Sequence, residues 1–322
     1  PCIYSLGNAR VALVSQQSSI AKKVNSIYGS AQIDYKDFLF LELTARNDWA
    51  SSLTVPLGIP ASATSTNSYF YPSASLSLVF NGFLNLPDWL SYAKLRTGFA
   101  QVGNDTDPYS FAQPFNTLDP FGPYRAFSES GRLPNFNLKP EISDSYEVGA
   151  ELRFLDSRIN LDFTYYNITT RNQILTNVPL TAASGYTSMV LNAGEIRNWG
   201  YEAMLSTIPV QSASGFQWDL NFNFSANRSE VLELAPEAGI HNYVMADRYI
   251  TVEAREGERM GNMYGLGYKR VTDTNSPYYG QIIYNSEGKP LPTDNIVNLG
   301  NYNPDCLLGI RNNFSWKGIS VG

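Results

Sequence analysis

The stretch YEVGAELRFLDSRINLDFTYY, residues 146–166, decides the fold. In its first half Tyr146, Val148, Ala150, Leu152 and Phe154 fall on one parity, and Glu147, Gly149, Glu151 and Arg153 on the other. Successive side chains of a strand point to opposite faces, so this is a strand with one apolar and one polar face. The second half repeats the pattern, with Ile159, Leu161, Phe163 and Tyr165 set against Asn160, Asp162 and Thr164. Asp156 and Ser157, between the two, are turn formers. A two-residue loop there puts Phe154 opposite Ile159, Leu152 opposite Leu161, Ala150 opposite Phe163 and Val148 opposite Tyr165, so apolar meets apolar along the whole pair. On the other face Arg153 lies opposite Asn160 and diagonal to Asp162, which faces Glu151. The two carboxylates are expected to share that one cation, on a surface that must be wet. Each strand is about ten residues long, enough to cross a bilayer at the tilt of a barrel strand. A soluble sandwich strand shows the same pattern.

Similar pairs recur along the chain. Residues 26–33 and 38–46 flank the tight turn DYKD, 69–80 and 93–102 flank NGFLNLPDWLSY, and 199–207 and 216–227 flank IPVQSASG. Between the pairs lie polar, Gly/Pro/Asn-rich stretches at roughly 47–68, 102–143, 168–197 and 228–305, longer than ordinary connections in a compact domain. Short turns therefore gather at one end of the sheet and long loops at the other, the asymmetry of outer-membrane barrels. In FQWDLNFNFSAN the row Phe216, Trp218, Leu220, Phe222, Phe224 and Ala226 is expected to face lipid, as are Leu152 and Phe163. Asn221 and Asn223, with Glu147, Glu151, Arg153 and Asp162, are expected to line the lumen. Aromatic clusters near strand ends, Tyr69 to Tyr71 and Tyr165 with Tyr166, suit a bilayer interface, although packing in a soluble core would also use them. The strand ending at Asn227 and the strand CLLGIRNNFSWK run in opposite directions, so zero or two crossings lie between them. YVMADRYITVE and GNMYGLGYKR could supply such a pair.

Of the 322 residues, 43% are hydrophobic, enough to bury a large apolar surface, and the formal net charge of -6 gives no reason to expect nucleic acid as a partner. Nowhere do about eighteen apolar residues run together as a membrane-spanning helix would require. No charged-then-apolar leader opens the chain, and both ends read as cut through a longer protein. Cys2 and Cys306 are far apart and have no metal-type spacing.

Catalysis finds little footing. The one histidine, His241, sits in the loop segment APEAGIHNYV, so neither a Ser-His-Asp nor a multi-His metal site is expected, and no cofactor. Glu147 and Glu151 share a face but lie about 13 Å apart, beyond the spacing of a two-carboxylate glycosidase. Two loop groups carry a binding reading. In VGNDTDPYSF, Asn104, Asp105 and Asp107 could ligate a hard cation or cap turns. Tyr109, Phe111, Phe115, Phe121, Tyr124 and Phe127 follow among Pro and Gly, and exposed aromatics on a long loop suit stacking on a glycan or peptide, or packing of the loop on itself.

The runs YKDFLFLELTARNDWASSL, SYFYPSASLSLVF, SYAKLRTGFAQVGNDTDPY, NLKPEISDSYEVGAELRF, NAGEIRNWGYEAMLS and GNYNPDCLLGIRNNFSWKG, in this order over nearly the whole chain, resemble the barrel of SusC/RagA-type TonB-dependent outer-membrane transporters. The resemblance implies an all-β, antiparallel transmembrane barrel of 22 strands with an internal plug. It implies import driven through TonB, a SusD-like surface lipoprotein over the extracellular mouth, and an oligosaccharide or peptide as substrate. Residues 1–322 would then be one partial barrel domain, without the plug, the TonB-contacting segment or the last barrel strands. Asn104, Asp105, Asp107, Tyr109, Phe115 and Tyr124 are the candidates for substrate or lid contact. Two alternatives stay open: a soluble β-sandwich that binds carbohydrate, and a passive porin.

Overall fold

The computed structural model describes residues 19–55, 66–111, 115–235 and 239–322. Cys2 and the opening thirteen residues lie outside that set. In chain order the strands are β1 (Val24–Tyr35), β2 (Leu39–Ala50), β3 (Ser68–Val79), β4 (Leu90–Asn104), β5 (Phe115–Phe121), β6 (Tyr124–Glu129), β7 (Arg132–Leu133), β8 (Glu141–Phe154) and β9 (Ile159–Arg171). Then come β10 (Ile174–Pro179), β11 (Ser188–Asn192), β12 (Glu195–Gln211), β13 (Phe216–Glu233), β14 (Asn242–Asp247), β15 (Thr251–Arg255), β16 (Asn262–Tyr268), β17 (Pro292–Asn301), β18 (Leu307–Trp316) and β19 (Ile319–Val321).

The β8–β9 register is the one expected: Phe154 pairs with Ile159, Leu152 with Leu161, Ala150 with Phe163 and Val148 with Tyr165. Asp156 and Ser157 at the centre of the turn take left-handed φ, 54° and 67°, as does Leu155 before them at 52°, and the Arg158 amide donates to the Leu155 carbonyl at 3.2 Å. Two left-handed residues make the turn whose twist matches the flanking strands. Lys36 with Asp37, and Lys317 with Gly318, repeat this at the β1–β2 and β18–β19 turns.

Ten strands form one antiparallel sheet in the order β1-β2-β3-β4-β8-β9-β12-β13-β18-β19. The question of crossings between Asn227 and Cys306 is thereby answered: β13 pairs directly with β18, so there are none. YVMADRYITVE and GNMYGLGYKR instead enter β14, β15 and β16 of a separate four-stranded sheet closed by β17. Two further small sheets, β10-β11-β7 and the hairpin β5-β6, also belong to long connections. IPVQSASG is less of a loop than expected. Strand β12 continues to Gln211 through a register shift between Thr207 and Val210, and only residues 212–215 turn.

Registers across the sheet place Tyr35, Leu39, Leu78, Leu95, Ala150, Phe163, Ala203, Phe224 and Leu308 on a single rung. Nine strands thus present apolar side chains to one side, and among the described residues nothing packs over them: Leu308 is 66% exposed and Ile310 56%. A sandwich buries that face against a second sheet, so the sandwich alternative is not the fold. The clusters of buried hydrophobic residues lie at the long-loop end. Ala50, Leu53, Tyr69, Phe111, Leu138 and Val190 make one core there, Val178, Leu191, Ala193 and Ala235 a second, and Val231, Leu234 and Ala254 a third.

Aromatic rings mark both ends of the sheet. At the short turns Phe38 packs on Tyr35 and Phe83, Trp89 stacks on Phe154, and Phe314 stacks on Phe216 and Trp218. Toward the loops Phe99 meets Tyr146 and Tyr165 meets Tyr201. From Phe154 to Tyr146 along β8 is roughly 20 Å of height at a barrel strand's tilt, close to the apolar band between aromatic girdles in outer-membrane barrels.

Candidate functional site: the polar face and the loop end

The face opposite the apolar rungs carries the charge. Glu151 pairs with Asp162 and Arg153 with Asn160, as the alternation requires. Their ion pairing differs from expectation. Arg153 turns to Glu151 alone, with Nη2 and Nε donating to Oε1 at 2.7 and 3.0 Å, while its guanidinium lies over the Tyr92 ring. Asp162 is taken by Arg96 of β4, whose Nη1 and Nη2 donate to its two oxygens at 2.9 and 2.7 Å; Nη2 also donates to Thr164 Oγ1 at 2.6 Å. Glu147 stands 3.8 Å from Arg96 Nε. To reach Asp162, Arg96 passes over Gly149 of the intervening strand, where a Cβ would lie 2.5 Å from Arg96 Nε. Gly200 likewise gives way to Tyr166, whose hydroxyl accepts from Asn227 Nδ2 at 3.0 Å.

Arg96 is the residue that sequence reading missed. Its signal was the small residue at Gly149, but that becomes meaningful only once β4 is known to pair with β8 across a long loop. Asn221 and Asn223 lie on the same face as Asp162, each lining a shallow cavity of the wall.

At the loop end the candidate residues separate into struts and an exposed group. Asn104 Nδ2 donates to Glu141 Oε2 at 3.0 Å, clamping β4 to β8. The Asp105 carboxylate accepts from Ser52 Oγ at 2.7 Å and pairs with Lys22. Asp107 contributes its backbone carbonyl, which accepts from Ser110 Oγ at 2.8 Å. The Asn104 and Asp105 side chains serve separate partners and Asp107 enters through its backbone, which is turn and strut chemistry. Among the described residues no group of three His, Cys, Asp or Glu is placed to hold a metal ion.

Tyr109, at φ 64°, is exposed, and its hydroxyl accepts from the Ala21 amide at 3.3 Å. Phe111 is an anchor, buried in the first loop core. Phe115 and Tyr124, with Phe121 and Phe127, project from the β5–β6 hairpin, Phe121 84% exposed. His241 clasps a loop, its Nδ1 donating to Glu256 Oε2 at 2.7 Å. That bond and the Leu234 amide hold the Glu256 carboxyl below the usual range. Cys306 is a free, exposed thiol.

Residues 4–319 match the family described as TonB dependent receptor-like, beta-barrel. TonB-dependent receptor P3 of Formosa agariphila is 24% identical over 96% of this chain and 32% of its own length. The TonB-dependent receptor SusC of Bacteroides thetaiotaomicron is 27% identical over 69% of this chain and 22% of its own. The chain therefore spans about a third or less of these relatives. The solved structure of the RagAB peptide transporter superposes with a TM-score of 0.74 at 19% identity, over 93% of this chain and 32% of that one, a likeness of fold. With its alternating faces, its single-ended long loops and this match over nearly its whole length, the chain belongs to the TonB-dependent receptor-like β-barrel family of the outer membrane, and its ten-stranded sheet is part of such a barrel's wall.

Proposed function

We propose that the complete protein imports a bulky nutrient, an oligosaccharide or a peptide, across the outer membrane, driven through TonB and assisted by a SusD-like surface lipoprotein. The observation that carries this reading is the apolar rung that crosses nine strands with all long connections at one end. Such a sheet is stable only with lipid on one side and water on the other. Glu147, Glu151, Arg153, Asp162, Asn221 and Asn223 then face the lumen, and Leu152, Phe163, Leu220 and Phe222 face lipid. The SusC likeness supports a lidded transporter rather than a passive porin. The role is passage and not turnover: the acids and bases Arg96–Asp162 and Arg153–Glu151 are paired with one another instead of flanking a reacting bond. Residues 1–322 act as one barrel domain, with Tyr109, Phe115 and Tyr124 at the mouth for substrate or lid contact and Asn104, Asp105 and Asp107 supporting them.

Cysteine labelling of the full-length transporter tests the facing. A water-soluble thiol reagent should reach cysteines placed at 151, 221 and 223, and a membrane-dissolved probe those at 152, 163, 220 and 222. The opposite distribution would reverse the orientation and with it the proposed lumen.

A further inference from the structure

The apolar side of the sheet changes character toward the long loops. Val148, Tyr165, Tyr201 and Ala226 form one apolar rung on it. The next rung is Tyr146, Asn167, Trp199 and Arg228, and the one after that Asp144, Thr169, Arg197 and Glu230. Apolar residues that give way first to aromatic and then to charged ones mark the edge of a hydrocarbon layer. At a barrel strand's tilt Trp199 stands about 5 Å above Tyr201 and the Arg197–Glu230 rung about 10 Å above it, while the headgroup layer is about 5–8 Å thick.

The arginines of this zone differ in what they hold. Arg171 pairs with Asp144, and Arg228 with Asp305. Arg197 has no carboxylate: its Nε donates to Asn167 Oδ1 at 3.0 Å, and its guanidinium bends back over the Trp199 ring, 5.1 Å from the centroid. Glu230, directly opposite Arg197, makes no side-chain hydrogen bond or ion pair among the described residues, and the half-buried Trp199 indole N–H has no acceptor there either. Opposed residues of opposite charge lie about 5 Å apart and ordinarily join. Here the guanidinium is drawn down to the level of Trp199 and the carboxylate stays one rung farther out. Beyond it a cavity of about 460 Å³ is lined by Arg171 with Glu195 and Glu233, two more carboxylates without a cation of their own.

We propose that Arg197, Trp199 and Glu230 bind the headgroup of a phosphatidylethanolamine in the leaflet at the long-loop end. Its phosphate accepts from the Arg197 guanidinium and the Trp199 indole N–H, and its ammonium, which lies farther from the hydrocarbon, donates to Glu230. The order of charges selects this headgroup. A purely anionic one, such as phosphatidylglycerol, leaves Glu230 facing an anion. The quaternary ammonium of phosphatidylcholine has no N–H to donate and calls for an aromatic face, and Arg197 already covers that of Trp199. The inference rests on the apolar rungs facing lipid.

The test takes the full-length transporter, stripped of lipid in detergent and offered phosphatidylethanolamine, phosphatidylcholine or phosphatidylglycerol with the same acyl chains, and counts retained lipid by native mass spectrometry. Heat-modifiable gel migration confirms that each variant has assembled. The parent should retain phosphatidylethanolamine several-fold better than the other two. Arg197→Gln and Glu230→Gln should each abolish that preference, and Lys36→Gln, at a turn on the opposite end of the sheet, should leave it unchanged. Equal retention of the three lipids by the parent would overturn the proposal, as would a preference that survives both variants. Phosphatidylglycerol held as well as phosphatidylethanolamine, and lost only in Arg197→Gln, would also overturn it by showing a plain phosphate site. A fluorophore on Leu152→Cys, in a background with Cys2 and Cys306 replaced by Ser, should be quenched by brominated acyl chains in a bilayer. Absence of that quenching would mean that the apolar rungs do not face lipid, a failure of the facing itself and distinct from a failure of headgroup selection.

Discussion

Gly149 shows how one residue organises the polar wall. It is the gap through which a guanidinium from one strand crosses to a carboxylate two strands away, and a side chain there would strike Arg96 at its Nε. Gly149→Val should therefore displace Arg96, break its bidentate pair with Asp162 and cost about 1–3 kcal/mol in a bilayer refolding titration. Gly29→Val is the comparison. No atom lies within 4 Å of a Cβ at Gly29, on the opposite face of β1, so that change should stay within about 0.5 kcal/mol of the parent. Equal losses from both would mean that the cost is generic to glycine in these strands and not the expulsion of Arg96. A second pair of neighbours tests the two faces directly. Arginine at Phe222 puts charge at bilayer depth and should cost about 2–4 kcal/mol, whereas Asn223→Arg meets water and should be nearly tolerated. Similar losses at the two adjacent positions would indicate two dry faces.

At the scale of the element, the four-stranded sheet β14–β17 is held by a buried carboxylate network. Burial alone would push the Glu253 carboxyl up, but bonds from Thr251 Oγ1 at 2.6 Å and Arg255 Nε at 2.8 Å, with Asn242 behind them, outweigh it and hold the group below its ordinary value. Glu258 is held low by the Tyr264 hydroxyl, against burial, with Asn262 Nδ2 at 2.8 Å adding to the effect. Carboxyls depressed in the folded state contribute stability that is complete above the unfolded value near 4.5 and is lost as pH falls through the folded values. Hydrogen exchange over residues 242–268, corrected for intrinsic rates, should thus show protection at neutral pH that fades below about pH 4. Glu253→Gln should blunt that dependence. Unchanged protection down to pH 3 would show that the network contributes nothing to the sheet's order. The sequence offered YVMADRYITVE and GNMYGLGYKR only as a possible pair of crossings and did not show β17 or a separate sheet, and the reason is physical. Within a hairpin, register follows from alternation and two turn residues, which is why Phe154–Ile159 and its neighbours were legible. Strands joined through long loops pair by tertiary contact, so neither the β13–β18 pairing nor the Arg96–Asp162 pair could be found before the sheet order was known. The same limit hid the division of the loop candidates, since nothing in VGNDTDPYSF tells Asp105, a strut to Lys22 and Ser52, from an exposed ligand.

For the whole molecule, the sheet and its connections divide the work. The strands supply a wall with one apolar and one polar side, while three buried cores lie toward the long loops at one end, so that end carries packing of its own. The β5–β6 hairpin is outside those cores. Phe115, Phe121, Tyr124 and Phe127 all stand more than half exposed on it, and it pairs with no other sheet. Exposed aromatics on a paired, turn-closed support are suited to stacking on a sugar face or a peptide side chain, or to seating a protein lid. Phe115 and Glu129 are cross-strand partners, so the two ends of the hairpin are adjacent and its removal can be closed with a short Gly-Ser link. Asn104, Asp105 and Phe111 stay in place, leaving the β4–β8 clamp and the first loop core intact. In the full-length transporter, deletion of 115–129 should leave the heat-modifiable barrel band unchanged while lowering nutrient uptake or co-purification of the surface lipoprotein. Replacing only the four rings by Ser should give the same loss if stacking is the cause, and a smaller one if the hairpin backbone makes the contact. Uptake and co-purification that both survive deletion would remove the hairpin from the proposed mouth surface, leaving its aromatic rings to pack against one another.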